Sequence, residues 1–494
     1  MRFAALLLAA LLAGAASLSA EPAQRRFGED RLPANVPELV AALRQATTHG
    51  LDPDNYGPAN IERLREDPQP AARTELSRRL QRAFLDYARD LARGRLDPER
   101  VDPDWKIPRD PFAPGDVLHA LDRGDSIATI LARLAPQQAG YRRLQQALAL
   151  YTGISAAGGW PEVPPGPELA ERSRDRRVPA LRRRLELTRD LTATPETEDP
   201  FWFDAGITVA VRRFQTRHAL PETGRVDERT RATLNVPVQM RIAQLRAALE
   251  RWRWLPRDLG ARYLLVNTAG FMLEAIENGR PVFALRTIIG RTYRATPAFS
   301  ARLTHLVLNP YWNVPRSIAV KDLLPLQQQD PGFLARKHIR VFETRNGILH
   351  EMDPQDIDWS QLSKDHFPYR LRQDPGPNNS LGRIKFVMPN PYDIYLHDTP
   401  SRGLFSLPVR TFSSGCVRVE RPVQLAAWLL EDAHWSTGRI QRAIDSGKQQ
   451  WLRLPESVPV HVVYLTAWVD EQGRVNFRND VYKRDTALLA AFSD

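Results

Sequence analysis

The spacing of apolar residues changes near the middle of the chain, and this change limits the folds available to it. Up to about residue 258 apolar residues recur at helical spacing, as in "VPELVAALRQATTHG", which has an early Pro37 and a closing Gly50. From Tyr263 onward β-branched residues alternate with polar ones, and Asn278–Gly279 supplies a hairpin turn. The sequence therefore predicts a multidomain α+β protein with a helical N-terminal half and a β-rich C-terminal half.

Several further stretches of the first half predict helices. "LQRAFLDYARDLARGRLDP" has the helical pattern and stops at Gly94, and "DSIATILARLAPQQAGYRRLQQALALY" predicts two helices broken near Pro136. An arginine-rich helix follows a Gly/Pro loop and runs to about Leu191, and "TATPETEDP" is typical of a linker. We expect these helices to form a scaffold domain over residues 21–195.

The first twenty residues have the pattern of a secretory signal peptide. Arg2 precedes an unbroken apolar run from Phe3 to Ala16, and small residues follow up to Ala20. The alternative is an uncleaved anchor, but the run is shorter than the ~20 residues that a spanning helix needs. We therefore expect a mature protein that works outside the cytoplasm, either soluble or attached to the inner membrane at its N-terminus.

Composition limits the class of partner and cofactor. The 494 residues carry a net charge of +11 and are 43% hydrophobic, enough for real cores in two to four domains. In an exported protein this charge favours anionic cell-envelope polymers over nucleic acid. The ten histidines form no HExxH motif, and no Cys/His pair has ligand spacing, so no metal or cofactor is predicted.

A compact unit follows the linker. In "FDAGITVAVRRFQTRHALPETGRVDERTRATLNVP" the residues Ile207, Val211 and Phe214 share one helical face, and a second short helix follows a turn. This unit resembles the peptidoglycan-binding module of the PGBD-like type, which implies a three-helix module over 198–237 and a connecting helix over 238–258. The alternative is a structural spacer without a ligand site.

The remaining chain, residues 259–482, predicts a β-rich domain with an insertion. Between about residues 318 and 373 the strand pattern stops: "KDLLPLQQQDPGFLARKHI" predicts helix, and "IDWSQLSKDHFPYRLRQDPGPNN" predicts a loop. Strands return in "RIKFVMPN" and "YDIYLHDTP". We expect the insertion to act as a lid over the cleft of the neighbouring cysteine, the alternative being a rigid decoration.

The residues with catalytic potential lie in "YLHDTPSRGLFSLPVRTFSSGCVRV". His397 ends a predicted strand, and Cys416, the one cysteine of the chain, follows after a loop. An imidazole that accepts the thiol proton activates a cysteine as a nucleophile. Amides around Gly415 and Cys416 are candidate donors to an oxyanion, and Arg418 is a candidate partner for a peptide carboxylate or for an internal loop contact.

The stretch "HDTPS…RTFSSGCVRV" resembles the signature of the L,D-transpeptidase (YkuD) catalytic domain. The wider chain is similar to the large periplasmic L,D-transpeptidases of Gram-negative bacteria, in segments such as "ERWRWLP", "VLNPYWNVPRSIAVKDLLP" and "PGPNNSLGRIKFVMPNPYDIYLHDTP". The catalytic histidine of the family maps to His397. Many members have a histidine before the Gly–Cys pair, where this chain has Ser414, so the resemblance leaves the role of Ser414 open.

The resemblance implies a reaction on peptidoglycan stem peptides. Cys416 would attack the carbonyl that precedes the terminal D-Ala of a donor tetrapeptide, at the L-centre of diaminopimelate, and release D-Ala. His397 would move the proton, and the side-chain amine of a second diaminopimelate would resolve the thioester as a 3→3 cross-link. Tyr395 would line the pocket or be a core tyrosine, and Asp398 faces the other side of the strand. Carbapenems would acylate the same cysteine.

The sequence does not identify the group that accepts the acyl chain from the cysteine. Water would make the protein a carboxypeptidase, a lysine amine would anchor a lipoprotein, and a free D-amino acid would be exchanged. A non-catalytic wall-binding protein is the alternative from another class, but the intact His397, Gly415, Cys416 and Arg418 argue against it.

Overall fold

The computed structural model describes residues 35–192, 199–431 and 433–492. The predicted signal peptide (1–20) and most of the predicted linker lie outside the described residues. Within the described ranges, no helix combines the length and the apolar character that a membrane span requires.

Most of the N-terminal helices form a scaffold around one apolar core, whereas the helix that begins at Ala139 packs into a different cluster, which includes Leu245 and Leu265. Most of them begin with a proline in the first turn, where its missing N–H costs nothing. The break predicted near Pro136 is confirmed, and α3 ends at Gly94 with φ +80°. The helices are α1 (Val36–Arg44), α2 (Pro58–Glu66), α3 (Pro70–Arg93), α4 (Pro98–Val101), α5 (Pro114–Asp122), α6 (Ile127–Leu134) and α7 (Ala139–Ala156).

The next three helices share a second core. They are α8 (Val178–Leu187), α9 (Ala205–Arg217) and α10 (Glu228–Leu234). Leu181 and Leu185 of α8 lie in the same buried cluster as Phe214 of α9. This corrects the boundaries drawn from sequence at 195 and 198, because α8 belongs with the module and not with the scaffold. Its many arginines conceal the leucines that pack onto α9.

The connecting helix α11 (Val238–Arg253) joins the scaffold to the C-terminal domain. Its buried Glu250 pairs with Arg253 at 2.5 Å and also accepts hydrogen bonds from the amide of Leu96 (2.8 Å) and the indole of Trp254 (3.1 Å). Buried charges are tolerated only when they are paired in this way. The helix therefore holds the scaffold against the β-rich domain.

The C-terminal half contains all the named strands and six further helices. The strands are β1 (Arg262–Asn267), β2 (Met272–Glu277), β3 (Arg280–Gly290), β4 (Phe299–Leu308), β5 (Trp312–Asn313), β6 (Ile339–Arg345), β7 (Ile348–Met352), β8 (Tyr369–Gln373), β9 (Ile384–Val387), β10 (Leu396–His397), β11 (Thr411–Ser413), β12 (Val417–Val419), β13 (Gln450–Val463), β14 (Ala467–Val469) and β15 (Val475–Phe477). The helices are α12 (Arg316–Ile318), α13 (Leu324–Gln329), α14 (Phe333–Arg336), α15 (Pro422–Leu430), α16 (Thr437–Asp445) and α17 (Arg484–Ala491).

The main sheet closes on itself. Its strand order is β3-β12-β10-β9-β4-β13-β1-β2, and β2 pairs again with β3, while β11 adds to the end of β3. Alternate residues of these strands pack with α15 and α16 into one core, which includes Leu264, Leu306, Phe386, Leu396 and Val417. The residues between them face away from this core.

The insertion between β4 and β9 is a folded subdomain. Its sheet has the order β5-β8-β6-β7, and its own core includes Leu334, Val341 and Leu371. The loop expected from "IDWSQLSKDHFPYRLRQDPGPNN" is wrong in part, because this segment contains β8. That strand pairs with both β5 and β6, and these distant partners leave no signal in the local sequence.

Candidate active site

Strands β10 and β12 bring His397 and Cys416 to neighbouring positions. The two strands run parallel, with Leu396 opposite Val417 and His397 opposite Arg418. Leu396 and Val417 point into the core, so the alternating residues face the other way. Tyr395, His397, Cys416 and Arg418 therefore share one face, although they come from two separate segments.

A tight turn before β12 fixes the position of Cys416. Gly415 has φ +120°, a conformation that side chains rarely adopt. The hydroxyl of Ser413 donates to the carbonyl of Cys416 (2.5 Å), and that of Thr296 donates to the carbonyl of Gly415 (2.8 Å). The turn is thus held at both of its carbonyls.

The turn also changes the prediction for the oxyanion donors. The amide of Gly415 donates to the hydroxyl of Ser413 (3.1 Å), so this donor is already used. The amide of Cys416 has no partner in the hydrogen bonds of the described ranges. Of the two amides expected to serve an oxyanion, that of Gly415 is thus occupied within the turn, and that of Cys416 is unoccupied among the described hydrogen bonds.

His397 is buried and oriented by the backbone. Its Nδ1 lies 2.6 Å from the carbonyl of Asp398, which can only accept, so Nδ1 carries the proton and Nε2 is the basic nitrogen. Burial, with the positive charge of Arg418, lowers the pKa of His397 to about 3. The imidazole is therefore neutral and able to accept a proton. The Asp398 side chain lies apart from this pair and accepts from the amide of Arg383 (2.8 Å).

The thiol of Cys416 is protonated in this arrangement. Burial raises its pKa, and hydrogen bonding to Tyr395 and the charge of Lys385 act in the opposite direction. Its Sγ donates to the carbonyl of Asp393 at 3.8 Å, and within the described ranges no hydrogen bond joins it to His397. Cys416 and His397 thus share one face of the sheet, and the electrostatics favour the neutral form of each.

Lys385 is a site residue that the sequence reasoning missed. It lies on β9 directly opposite His397, and its Nζ is 3.9 Å from the centre of the Tyr395 ring. That ring is in turn 5.7 Å from the His397 ring. The available signal was the alternation of Lys385 with the core residues Ile384 and Phe386 in "RIKFVMPN", which puts the lysine on the site face.

Arg418 presents a guanidinium without an acidic partner. Its buried Nε has no hydrogen bond, and the salt bridges of the described residues include neither Arg418 nor the nearby Arg291. Burial and the charge of Arg291 lower the pKa of Arg418. Among the described residues, the guanidinium of Arg418 thus has no carboxylate partner.

Ser414 is exposed and connects the turn to the insertion. Its hydroxyl accepts from Arg294 Nη1 at 3.0 Å, and the same guanidinium pairs with Asp322 at 2.5 Å. Asp322 belongs to a π-helical turn, Ala319–Leu323, between α12 and α13. Arg294 thus links the cysteine turn to the inserted subdomain, and no local motif in the sequence predicted this link.

The structure thus combines a closed sheet that carries Cys416 and His397 on one face with a helical scaffold and a three-helix module. Residues 261–450 match the family described as "L,D-transpeptidase catalytic domain". Residues 177–234 match "Putative peptidoglycan binding domain", and residues 27–148 match "Scaffold domain". The chain thus carries a YkuD-type L,D-transpeptidase catalytic domain with a peptidoglycan-binding domain and a scaffold, as the sequence predicted.

One curated protein agrees with this assignment. A protein of Haemophilus influenzae named "Putative L,D-transpeptidase" is 37% identical over 228 residues, which are 46% of this chain and 45% of that protein. The chain thus spans less than half the length of this curated relative. A crystal structure of the L,D-transpeptidase (residues 123-326) from Xylanimonas cellulosilytica is 16% identical and covers 61% of this chain and 100% of its own, with a TM-score of 0.18, too low to support a comparison of folds.

Proposed function

We propose that the protein forms 3→3 cross-links in peptidoglycan through a cysteinyl thioester. The observation that carries the proposal is the pairing of β10 with β12, which puts Cys416 and a buried, neutral histidine on the same face of the sheet. A thiol and a neutral imidazole are the two groups that acyl transfer through cysteine requires.

The reaction proceeds in two balanced steps. Sγ of Cys416 attacks the carbonyl before the terminal D-Ala, and its proton passes to Nε2 of His397. The amide C–N bond breaks, and the leaving amine of D-Ala takes that proton from the imidazole. In the second step the side-chain amine of another stem attacks the thioester and gives a proton to His397. The C–S bond breaks, and the sulfur of Cys416 takes that proton back from the imidazole. The free amide of Cys416 supports the oxyanion in both steps.

The cationic residues match the charge of the substrate. Stem peptides of this type carry several carboxylates, and Arg418 and Arg291 lack acidic partners in the described parts of the chain. Lys385 adds a third positive charge beside Tyr395. These charges bind carboxylates of the donor and favour the thiolate when it forms.

The inserted subdomain acts as a lid in this proposal. The Arg294–Asp322 pair joins it to the cysteine turn, and closure would keep water from the thioester until the amine arrives. We further propose that the reaction takes place in the periplasm, which the signal-peptide pattern of the sequence supports and where peptidoglycan is the available substrate.

The test is an assay with purified disaccharide-tetrapeptide. The wild-type protein should release D-Ala and form 3→3 dimers, whereas Cys416→Ser should do neither, because a serine hydroxyl beside His397 is a far weaker nucleophile. Tripeptide without dimers would identify water as the acceptor. Dimers at the wild-type level from Cys416→Ser would disprove the cysteine mechanism.

A carbapenem provides an independent test. Its strained amide resembles the donor carbonyl, so intact mass spectrometry should show one adduct, on the peptide "TFSSGCVR". An adduct on another peptide would contradict the role of Cys416.

A further inference from the structure

The face that carries the Cys–His pair continues across the sheet. The register places Arg418 opposite His397, His397 opposite Lys385, Lys385 opposite Val307, and Val307 opposite Trp451. The residues between them on the same strands lie in the core. Trp451 on β13 therefore faces the same side of the sheet as the catalytic pair, four strands away from β12.

Trp451 is a preformed aromatic platform on this face. Its side chain is 65% exposed, although a tryptophan is usually at least partly covered. The ring stacks on His305 of β4, with 5.0 Å between centroids and 27° between planes, and its Nε1 donates to the side chain of Gln449 at 3.4 Å. One ring face is thus held by the protein, while the indole remains open to solvent.

The surroundings of Trp451 are polar. Gln449, just before the strand, and Arg453 on it are exposed, and the hydroxyl of Thr304 lies 3.0 Å from Nδ1 of His305. A single aromatic ring among polar side chains does not form the contiguous apolar patch of a protein interface. It has instead the amphipathic character that suits a ligand with apolar C–H faces and polar edges, which is the chemistry of a sugar ring.

The distance agrees with the substrate of the proposed function. The Trp451 ring stacks on His305 of β4, and three strand spacings, or about 14 Å, separate β4 from β12. In the donor, three stem residues lie between the attacked carbonyl and the sugar that carries the stem, and three extended residues span about 10 Å. The lactyl group that joins the stem to the sugar covers the remaining distance. A stem extended over Tyr395 and Lys385 therefore brings its own sugar to His305 and Trp451.

We propose that Trp451, supported by His305, is a subsite for the amino-sugar ring that carries the donor stem peptide. This inference rests on the proposed function and deepens it: the enzyme recognises the glycan of its donor as well as the peptide. The occupied subsite holds the stem in register with Cys416, so its effect is on binding of the donor and not on the chemical step.

The test measures protection of Cys416, which reports occupancy without catalysis. Iodoacetamide labels the single cysteine, and labelling is slowed by a disaccharide-tripeptide or by the sugar-free tripeptide. In the wild-type protein we expect the disaccharide-tripeptide to protect at about ten-fold lower concentration, the size of one good aromatic contact. Trp451→Ala should remove this advantage and leave protection by the sugar-free tripeptide unchanged.

Two further variants make the result specific. Trp451→Phe keeps a ring and should retain most of the advantage, and Met240→Ala, at an exposed apolar residue of α11, should behave as wild type. An equal advantage in wild type and Trp451→Ala, or none in wild type, would overturn the subsite. Release of D-Ala from a sugar-free tetrapeptide, measured on the same preparations, tests the proposed function separately, because that substrate does not reach Trp451.

Discussion

The protonation state of the Cys–His pair gives a quantitative prediction. With the pKa of His397 at about 3, roughly one imidazole in a thousand is protonated at pH 6, which corresponds to about 4 kcal/mol against the imidazolium. Burial raises the pKa of the Cys416 thiol above its ordinary value, so the thiol is protonated at pH 6. The resting pair is therefore neutral.

The rate of alkylation measures the ionisation of the Cys416 thiol directly, because Cys416 is the single cysteine of the chain. The rate constant for iodoacetamide should rise about ten-fold per pH unit from pH 6 and level off only above about pH 8.5, since the thiolate is the reactive form. Cys416→Ser should not be labelled, and far-ultraviolet circular dichroism at each pH should show an intact fold. A rate at pH 6 within three-fold of that at pH 8 would mean a preformed thiolate–imidazolium pair and would refute this reasoning.

Three other perturbations have defined outcomes. Lys385→Met should move the midpoint of alkylation to higher pH, because a positive charge that favours the thiolate is lost, while the exposed Lys364→Met should leave it unchanged. The pKa of His397 in the folded protein lies below the unfolded value of ~6.5, so the wild type loses stability as the pH falls from 7 to 4. His397→Gln should reduce this loss by about 3 kcal/mol, measured as the free energy of unfolding in urea. A pH dependence equal to that of wild type would contradict the buried neutral state. Asp322→Asn should weaken the tie between insertion and cysteine turn and raise the ratio of tripeptide to dimer in the muropeptide assay, with Asp356→Asn as the matched control; an unchanged ratio would argue against a lid.

Local sequence patterns predicted the parts of the fold that depend on local physics. Helix ends at Gly94 and near Pro136 follow from backbone conformations that glycine and proline impose. The turn at Asn278–Gly279 joins β2 to β3 for the same reason, with positive φ at both residues. Strand β8 and the placement of α8 depended on distant partners, and a local pattern contains no information about them.

The residues of the site also fall into those that the sequence could identify and those that depend on the tertiary fold. His397 and Cys416 could be found because their types and motif mark them, and strand alternation put Tyr395 on the same face. Lys385 and Arg294 come from other strands and loops, and only the register of β9 and the fold of the turn bring them to the cysteine. The use of the Gly415 amide by Ser413 is likewise a matter of turn geometry, so the oxyanion donors could not be assigned from residue types.

The central claim, a covalent acyl-enzyme on Cys416, is tested most directly by rapid-quench intact mass spectrometry with a disaccharide-tetrapeptide donor. The account predicts a transient species heavier than the free protein by the acyl group of the disaccharide-tripeptide, carried by Cys416 in the peptide "TFSSGCVR", and lost when an acceptor stem is added. Release of D-Ala at the full rate by Cys416→Ser, or an adduct on any other residue, would contradict it.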